Sequence, residues 1–207
     1  MPKVTDAHIA ARHQQIIEAA RACFARQGFH QTSIQDICKE ADLSPGAVYR
    51  YFPSKEHIIA ATCLDCQQGI IDMISAAKSQ GDSPLHTVKI IMDHGFSMLS
   101  SDSFLEFGMM NVQGWSEAMR SKEVREALLT ATFDTLGQAL TGLFQEAQER
   151  GELIQDVEPQ AVAFTIMGMF HGLVLHKSLD PEIDINACGK VMHAMLQGMF
   201  QTTSDAA

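Results

Sequence analysis

Hydrophobic residues follow the helical period along almost the whole chain. They recur at intervals of three and four positions rather than two, which predicts α-helices and leaves almost no signal for strands. Polar stretches rich in Gly, Pro, Ser and Asp separate the helical segments. The chain is therefore expected to be all-α, with helices at about 8–27, 34–41, 45–51, 55–80, 85–99, 104–120, 122–150, 159–179 and 183–203.

The helix boundaries near the N-terminus have identifiable chemical causes. Gly28 is expected to end the first helix, because glycine readily adopts the left-handed conformation of a helix stop. Ser33 and Ser44 suit N-cap positions, and Pro45 follows Ser44 at a first helical position, where its missing N–H group costs nothing. Two short helices on either side of a tight turn are the arrangement of a helix-turn-helix.

The second of these short helices, at 45–51, is too short to be stable alone. In a helix-turn-helix the second helix places its exposed face in the major groove of DNA. Arg50 and Gln35 are long enough to reach base edges, whereas Tyr49 and Lys55 can donate hydrogen bonds to phosphates. The full set of expected DNA contacts is Thr32, Ser33, Gln35, Ser44, Pro45, Gly46, Tyr49, Arg50, Tyr51 and Lys55.

The segment TSIQDICKEADLSPGAVYRYFPSKEHII resembles the DNA-binding signature of the TetR/AcrR family of transcriptional regulators. The matching positions are Thr-Ser, an Ile-Cys where the family usually has Ile-Ala, and then Leu-Ser, Gly, Tyr, Tyr-Phe and Ser-Lys. The resemblance is close over about residues 10–58, and GWSEAMRSKEVR and QERGELIQDVEP are similar to segments common in one broad branch of the family. Tyr51 stands where many members carry His, and either side chain can contact a phosphate.

The resemblance implies two domains. A three-helix DNA-binding domain at 1–57 would be followed by a helical-bundle domain at 58–207 for ligand binding and dimerisation, with the 55–80 helix linking the two. The implied ligand is a small, mostly apolar molecule. Met and aromatic side chains suit such a pocket, although the same residues can equally fill a helical core. The expected ligand-binding residues are Ile70, Met73, Phe96, Phe107, Met110, Trp115, Phe170 and His171.

Small residues on the last two helices point to a close helix–helix contact. Gly168 and Gly172 lie on one helix face, and Ala194 and Gly198 repeat the pattern near the C-terminus. Because members of the family form dimers, the resemblance favours a homodimer interface formed by helices 159–179 and 183–203, with two helices from each chain. Packing within a single chain is the alternative.

The charge distribution permits DNA binding despite an acidic total. The net charge is −10, but residues 1–57 carry seven Lys or Arg and six Asp or Glu, so the acidity lies in the remainder. Only one end of the chain needs to meet a polyanion.

Other function classes have weaker support. Cys63 and Cys66 lie one helical turn apart and could make the protein a metal- or thiol-responsive sensor, but two ligands are too few for a metal site. The sequence contains no catalytic constellation or phosphate loop, so neither an enzyme nor a cofactor is expected. No signal peptide is expected, because residues 1–10 lack an apolar segment, and the longest apolar run, 161–170, is about half a membrane span. The prediction is a cytoplasmic, homodimeric repressor that a small molecule releases from its double-stranded operator, with no membrane partner.

Overall fold

The computed structural model describes residues 6–101 and 104–198, apart from the side chains at 6, 66, 67, 105–107, 109 and 131. Helices are the regular elements of this part of the chain, which confirms the all-α prediction. They are α1 (Asp6–Gln31), α2 (Ile34–Glu40), α3 (Pro45–Tyr49), α4 (Lys55–Gln80), α5 (Pro84–Leu99), α6 (Phe104–Ala118), α7 (Lys122–Leu129), a π-helical segment (Thr130–Gly137), α8 (Gln138–Glu149), α9 (Pro159–Leu179) and α10 (Ile185–Gln197).

Two long helices, α4 and α9, have the predicted bounds, because strong local signals mark their ends. Pro159 occupies the first position of α9, and the Glu158 side chain accepts from the backbone N–H groups of Gln160 and Ala161. The predicted end of the first helix at Gly28 is also visible. α1 runs to Gln31 but is broken at Gly28, which has φ 78° and ψ 169°.

The prediction of one α-helix over 122–150 was wrong. The structure divides it into α7, the π-helical segment and α8. The segment, TATFDTLG, contains three threonines, whose branched side chains weaken α-helix propensity. Its last residue, Gly137, lies so close to Phe164 that an added Cβ would be 2.9 Å from that ring.

The last helix is also shorter than predicted over 183–203. α10 begins at Ile185, because the side chain of Asp184 accepts from the Ala187 N–H group and caps the helix there. Positions 199–203 lie outside the described residues.

The chain forms two compact units. The first unit contains residues 1–66 and 109–130, and the second unit contains residues 67–108 and 131–207. The first unit therefore has more chain than the predicted domain 1–57, although the functional boundary after residue 57 stays a prediction.

Each unit has its own hydrophobic core. In the first unit, the fully buried side chains include Ile16, Phe24, Ile37, Val48, Ile58 and Val124. The core of the second unit includes Leu99, Phe144, Leu153 and Val174. The first core fixes the three N-terminal helices against one another, which places the candidate DNA-binding residues.

Candidate nucleic-acid interface

The start of α2 is fixed by a capping box. The backbone N–H of Asp36 donates to Ser33 Oγ at 3.2 Å, and the backbone N–H of Ser33 donates to Asp36 Oδ2 at 2.8 Å. The Ser33 hydroxyl also donates to the Asp36 carboxylate, and these hydrogen bonds lower the pKa of Asp36. The Ser33 hydroxyl is therefore already used to hold the helix.

α3 is only five residues long, and one buried residue anchors it. Val48 is fully buried in the first unit's core. The Ser44 side chain accepts from the Ala47 N–H at 3.3 Å and caps the helix, with Pro45 in the first turn. The opposite face of α3 is exposed, so the sequence builds a short helix that can present side chains outward.

The exposed surface of α2, α3 and the two cap residues of α3 gathers six of the predicted DNA contacts. Tyr49 is 51 % exposed, although large aromatic side chains are usually buried. Apart from the adjacent backbone, none of the residues that the structure describes lies within 4 Å of a Cβ added at Gly46, so the backbone is open to close approach. The exposed members of the predicted set are Gln35, Ser44, Pro45, Gly46, Tyr49 and Arg50.

Two other predicted contacts, Thr32 and Tyr51, face inward to different degrees. Thr32 is 1 % exposed, and its hydroxyl donates to the Gly28 carbonyl at 2.8 Å. Tyr51 is partly buried against the core of the first unit. A buried hydroxyl that is already hydrogen-bonded suits a positioning role better than a phosphate contact.

Lys55 has an internal role in the structure. Its Nζ donates to the Phe29 carbonyl at 2.9 Å and to the Thr32 carbonyl at 3.1 Å. An ammonium group has three donors, and carbonyl acceptors do not neutralise its charge. Lys55 can therefore fix the end of α1 and still contribute positive charge near the helix-turn-helix.

Two further residues belong to this region and were missed from the sequence. Lys39 is exposed on α2, where it adds a positive charge to the helix-turn-helix. Gln113, on α6, accepts a hydrogen bond from the Phe29 backbone N–H at 2.9 Å. No sequence signal identifies this contact, because 84 positions separate the two residues.

The helix-turn-helix lies in the electrically neutral part of the protein. The first unit carries ten Lys or Arg and ten Asp or Glu, whereas the second carries five and fifteen. The charges of the first unit therefore cancel, and the net charge of −10 lies entirely in the second unit. Long-range repulsion of a polyanion by the first unit itself is therefore weak.

Comparison with known proteins agrees with this geometry. Residues 16–62 match the model of the bacterial regulatory proteins of the tetR family, and residues 110–201 match that of the C-terminal part of BetI-type transcriptional repressors. The uncharacterized HTH-type transcriptional regulator YfiR of Bacillus subtilis is 30% identical over 177 residues, covering 84% of this chain and 83% of YfiR. The chain belongs to the TetR family.

Two further proteins align with this chain over nearly its full length. The HTH-type transcriptional regulator UidR of Escherichia coli K12 is 28% identical over 186 residues, which is 90% of this chain and 91% of UidR. The solved structure of Salmonella enterica GusR superimposes with a TM-score of 0.74 at 26% identity, covering 97% of this chain and all of GusR. The protein is thus a DNA-binding transcriptional regulator of the TetR family and not an enzyme.

The predicted ligand-binding residues are divided between the two units. Met110, 6 % exposed, is part of the first unit's core, and Trp115 also belongs to the first unit. The second unit contains Ile70, Met73, Phe96, Phe170 and His171, and the side chain of Phe107 lies outside the described residues.

Within the second unit, close helix approaches surround Phe96 and Phe170. A Cβ added at Gly95 would lie 2.8 Å from the Phe170 ring, and one at Gly189 would lie 3.3 Å from the Phe96 ring. Phe96 is 7 % exposed and also lies near the His193 ring, with centroids 6.3 Å apart. In this conformation Phe96 has a core role, whereas Phe170 and His171 are only partly buried.

Two cavities of the second unit are formed by described residues. One, of about 240 Å³, lies between α5 and α10, and the other, of about 320 Å³, lies between α9 and α10. Neither cavity is lined by a predicted ligand-binding residue. The ligand set therefore stays a prediction.

Apolar side chains are concentrated on the outer faces of α9 and α10. Leu175, Leu179, Val191 and Met195 are between 42 % and 76 % exposed. Among the described helices, α9 is the one whose length and composition would allow it to cross a membrane. An apolar helix of this kind can also form a protein–protein interface. The prediction of no membrane partner therefore stays a prediction.

The cysteine alternative gains no support. Cys63 is partly buried, and the side chain of Cys66 lies outside the described residues. Among the side chains that the structure describes, no group of three or more His, Cys, Asp and Glu could hold a metal ion.

Proposed function

We propose that the protein is a homodimeric repressor that binds a double-stranded DNA operator and is released by a small, mostly apolar molecule. The exposed face of α2 and α3, held on a buried core in a neutral unit, carries this proposal. Arg50 and Gln35 read base edges, and Tyr49 contacts phosphate. The family model matched by residues 110–201 describes a transcriptional repressor and supports the direction of regulation.

Fluorescence anisotropy with DNA from upstream of the protein's own gene tests operator binding. Replacing Arg50 with Ala should relax the sequence preference at particular base pairs, at a cost of about 1–3 kcal/mol. A general loss of affinity on all sequences would show that Arg50 contacts the backbone instead.

Lys55 could act through the charge of its ammonium group or by holding the backbone in position, and the two effects can be measured separately. If its ammonium neutralises a phosphate, Lys55→Ala should reduce the slope of log affinity against log salt by about one. If it acts only through the Phe29 and Thr32 carbonyls, affinity should fall while the slope stays constant. Lys78→Ala, at the exposed end of the same helix, is the matched control and should change neither quantity.

The homodimer is proposed to form through α9 and α10. Apart from the neighbouring backbone of α9 itself, no described residue lies within 4 Å of a Cβ added at Gly168 or Gly172. These glycines are therefore not needed for packing within the chain, which favours the dimer interface over the intramolecular alternative. Together with the exposed apolar residues of both helices, they offer a surface that a second copy would cover.

Light scattering tests the dimer. Gly168→Leu should hold the partner helices apart and give a monomer at micromolar concentration. Gly142→Leu, another helical glycine with open space around its Cβ, should remain dimeric. If the Gly168→Leu protein stays wholly dimeric, the interface lies elsewhere on the protein.

Effector binding is proposed for the second unit, at the partly buried side chains of Ile70, Met73, Phe170 and His171. A ligand can shift the equilibrium only by its differential affinity for the free and DNA-bound protein. Calorimetry with a ligand found by thermal-shift screening should therefore show weaker binding in the presence of operator, by the factor with which the ligand weakens DNA binding. Equal ligand affinity with and without operator would contradict the proposal.

A further inference from the structure

The turn from residue 28 to residue 33 connects α1 to the DNA-reading helices, and its backbone groups are held by specific partners. The Gly28 carbonyl accepts from the Thr32 hydroxyl and, at 3.3 Å, from the Thr32 N–H. Lys55 binds the carbonyls of Phe29 and Thr32. The Phe29 N–H donates to Gln113, so α6 is directly bonded to the turn. The turn is therefore held from both α4 and α6.

Gln113 fits against the break in α1. Because Gly28 has a positive φ, the backbone turns there in a way that other residues rarely adopt. A Cβ at this position would lie 3.1 Å from Gln113 Oε1. The donor is a backbone N–H, which fixes the oxygen of the amide toward the turn. One helical turn further along α6, Glu117 Oε2 lies 3.5 Å from His30 Nε2 in the same turn.

The face of α6 behind Gln113 is anchored in the first unit's core. Met110 and Ala118 are 6 % and 4 % exposed and pack with the N-terminal helices. Gly114 lies so close to Cys63 that an added Cβ would be 3.2 Å from its sulfur. A side chain carried by an anchored helix can hold the turn in one place.

We infer that Gln113 is a positioning residue for DNA reading, which makes the 109–130 segment part of the DNA-reading unit. Gln113 acts through the Phe29 N–H and fixes the position of the turn that leads into α2, and therefore where α3 and its C-cap present Tyr49 and Arg50. The inference rests on the proposed role of α3 in reading DNA. Loss of the hydrogen bond should allow several placements of α2 and α3, of which only some fit the operator.

The test compares three variants of the full-length protein in anisotropy measurements on specific and unrelated DNA. Gln113→Met keeps the length of the side chain but removes the acceptor, and it should lower operator affinity by about fivefold to tenfold. Affinity for unrelated DNA and the salt slope should not change, because the cations are retained. Gln113→Glu keeps an acceptor oxygen and should bind the operator within about twofold of the parent, given the small net effect of exchanging acceptors. Gln138→Met, an exposed glutamine of the second unit, is the control.

Each outcome decides the role of Gln113. Operator affinity of Gln113→Met within twofold of the parent overturns the inference, and so does an equal loss in the Met and Glu variants. If Gln113→Met does not fold, Gln113→Ala replaces it with the same expected loss. A parent protein that binds no upstream DNA specifically would instead refute the proposed function.

Discussion

The two units expose the same kind of residue in different arrangements. Among the described side chains of the first unit, the large exposed apolar ones, Ile9, Tyr49, Leu64, Met119 and Leu129, are spread over four helices and the turn after α6. Among the described side chains of the second unit, four of five such residues, Leu175, Leu179, Val191 and Met195, lie on α9 and α10. Scattered apolar residues are normal on protein surfaces, whereas a concentrated group marks a contact surface. Apolar recognition of a partner is thus expected from the second unit.

Both units bond side chains to backbone carbonyls at chain turns, but the second unit adds close aromatic contacts between its helices. The first unit uses polar bonds at chain turns, such as the Ser33 cap, the Lys55 bonds to carbonyls and the Gln113 bond to Phe29. The second unit brings helices together at Gly95 and Gly189, where aromatic rings occupy the space of a side chain. Directional bonds fix one geometry, which reading DNA requires. Aromatic packing without such bonds can adjust more easily to a ligand.

The prediction with the largest expected effect tests whether the two units unfold independently of each other. Phe24 and Phe144 are both fully buried, one in each core. Replacing either with Ala should cost about 3–5 kcal/mol of the free energy of unfolding. Phe24→Ala should abolish operator binding near the lowered melting temperature, whereas Phe144→Ala should leave the first unit competent at low temperature.

Calorimetric scans and operator binding at several temperatures check this result. If both variants lose DNA binding at the same temperature, the two units unfold together. The two units would then differ in composition but not in stability.

A smaller effect is expected where the second unit packs closely on glycine. Gly95→Val places a Cβ 2.8 Å from the Phe170 ring and should cost about 1–3 kcal/mol by overpacking. Gly69→Ala, on α4 with nothing within 4 Å, is the matched change and should stabilise the helix by about 1 kcal/mol. Chemical denaturation measures both. A stable Gly95→Val protein would show that Phe170 moves freely, as an adaptable ligand pocket would allow.

The sequence predicts the helix-turn-helix well because its determinants are local. Ser33, Ser44 and Pro45 act within three or four residues, and the same holds for the Glu158 cap of α9. The π-helical segment was missed from the sequence, and its close contact with Phe164 at Gly137 joins residues that are distant in sequence.

Gln113 was missed for the same physical reason, since its role appears only when α6 lies beside the α1 break. Its own neighbours along the chain give no hint of the contact. The predicted ligand-binding residues, too, rest on residue type alone. Residue type could not distinguish Met110 in the first core from Phe170 in the second unit.

The Ser33 cap should have a moderate effect that is confined to the first unit. Ser33→Ala removes the acceptor for the Asp36 N–H and should cost about 1 kcal/mol of unfolding free energy. Ser83→Ala is the comparison in the second unit, because Ser83 occupies an N-cap position but makes no capping bond and donates to Glu152 instead. Operator binding should weaken for Ser33→Ala only. Equal losses in both variants would contradict the contrast between the units.

The smallest expected effect is a pH dependence that belongs to the second unit. Burial lowers the pKa of His171 below its ordinary value of 6.5, because the charged imidazolium loses hydration. The unfolded chain then binds a proton more readily than the folded one just below pH 6.5. Stability from this group is fully present above that pH, falls as the pH drops through it, and stops falling below the folded pKa. His171→Phe should flatten the pH dependence of the melting temperature in this window. Identical curves for the parent and His171→Phe would show that His171 is solvated when folded, and a neutral imidazole in the second unit would no longer be available to a ligand.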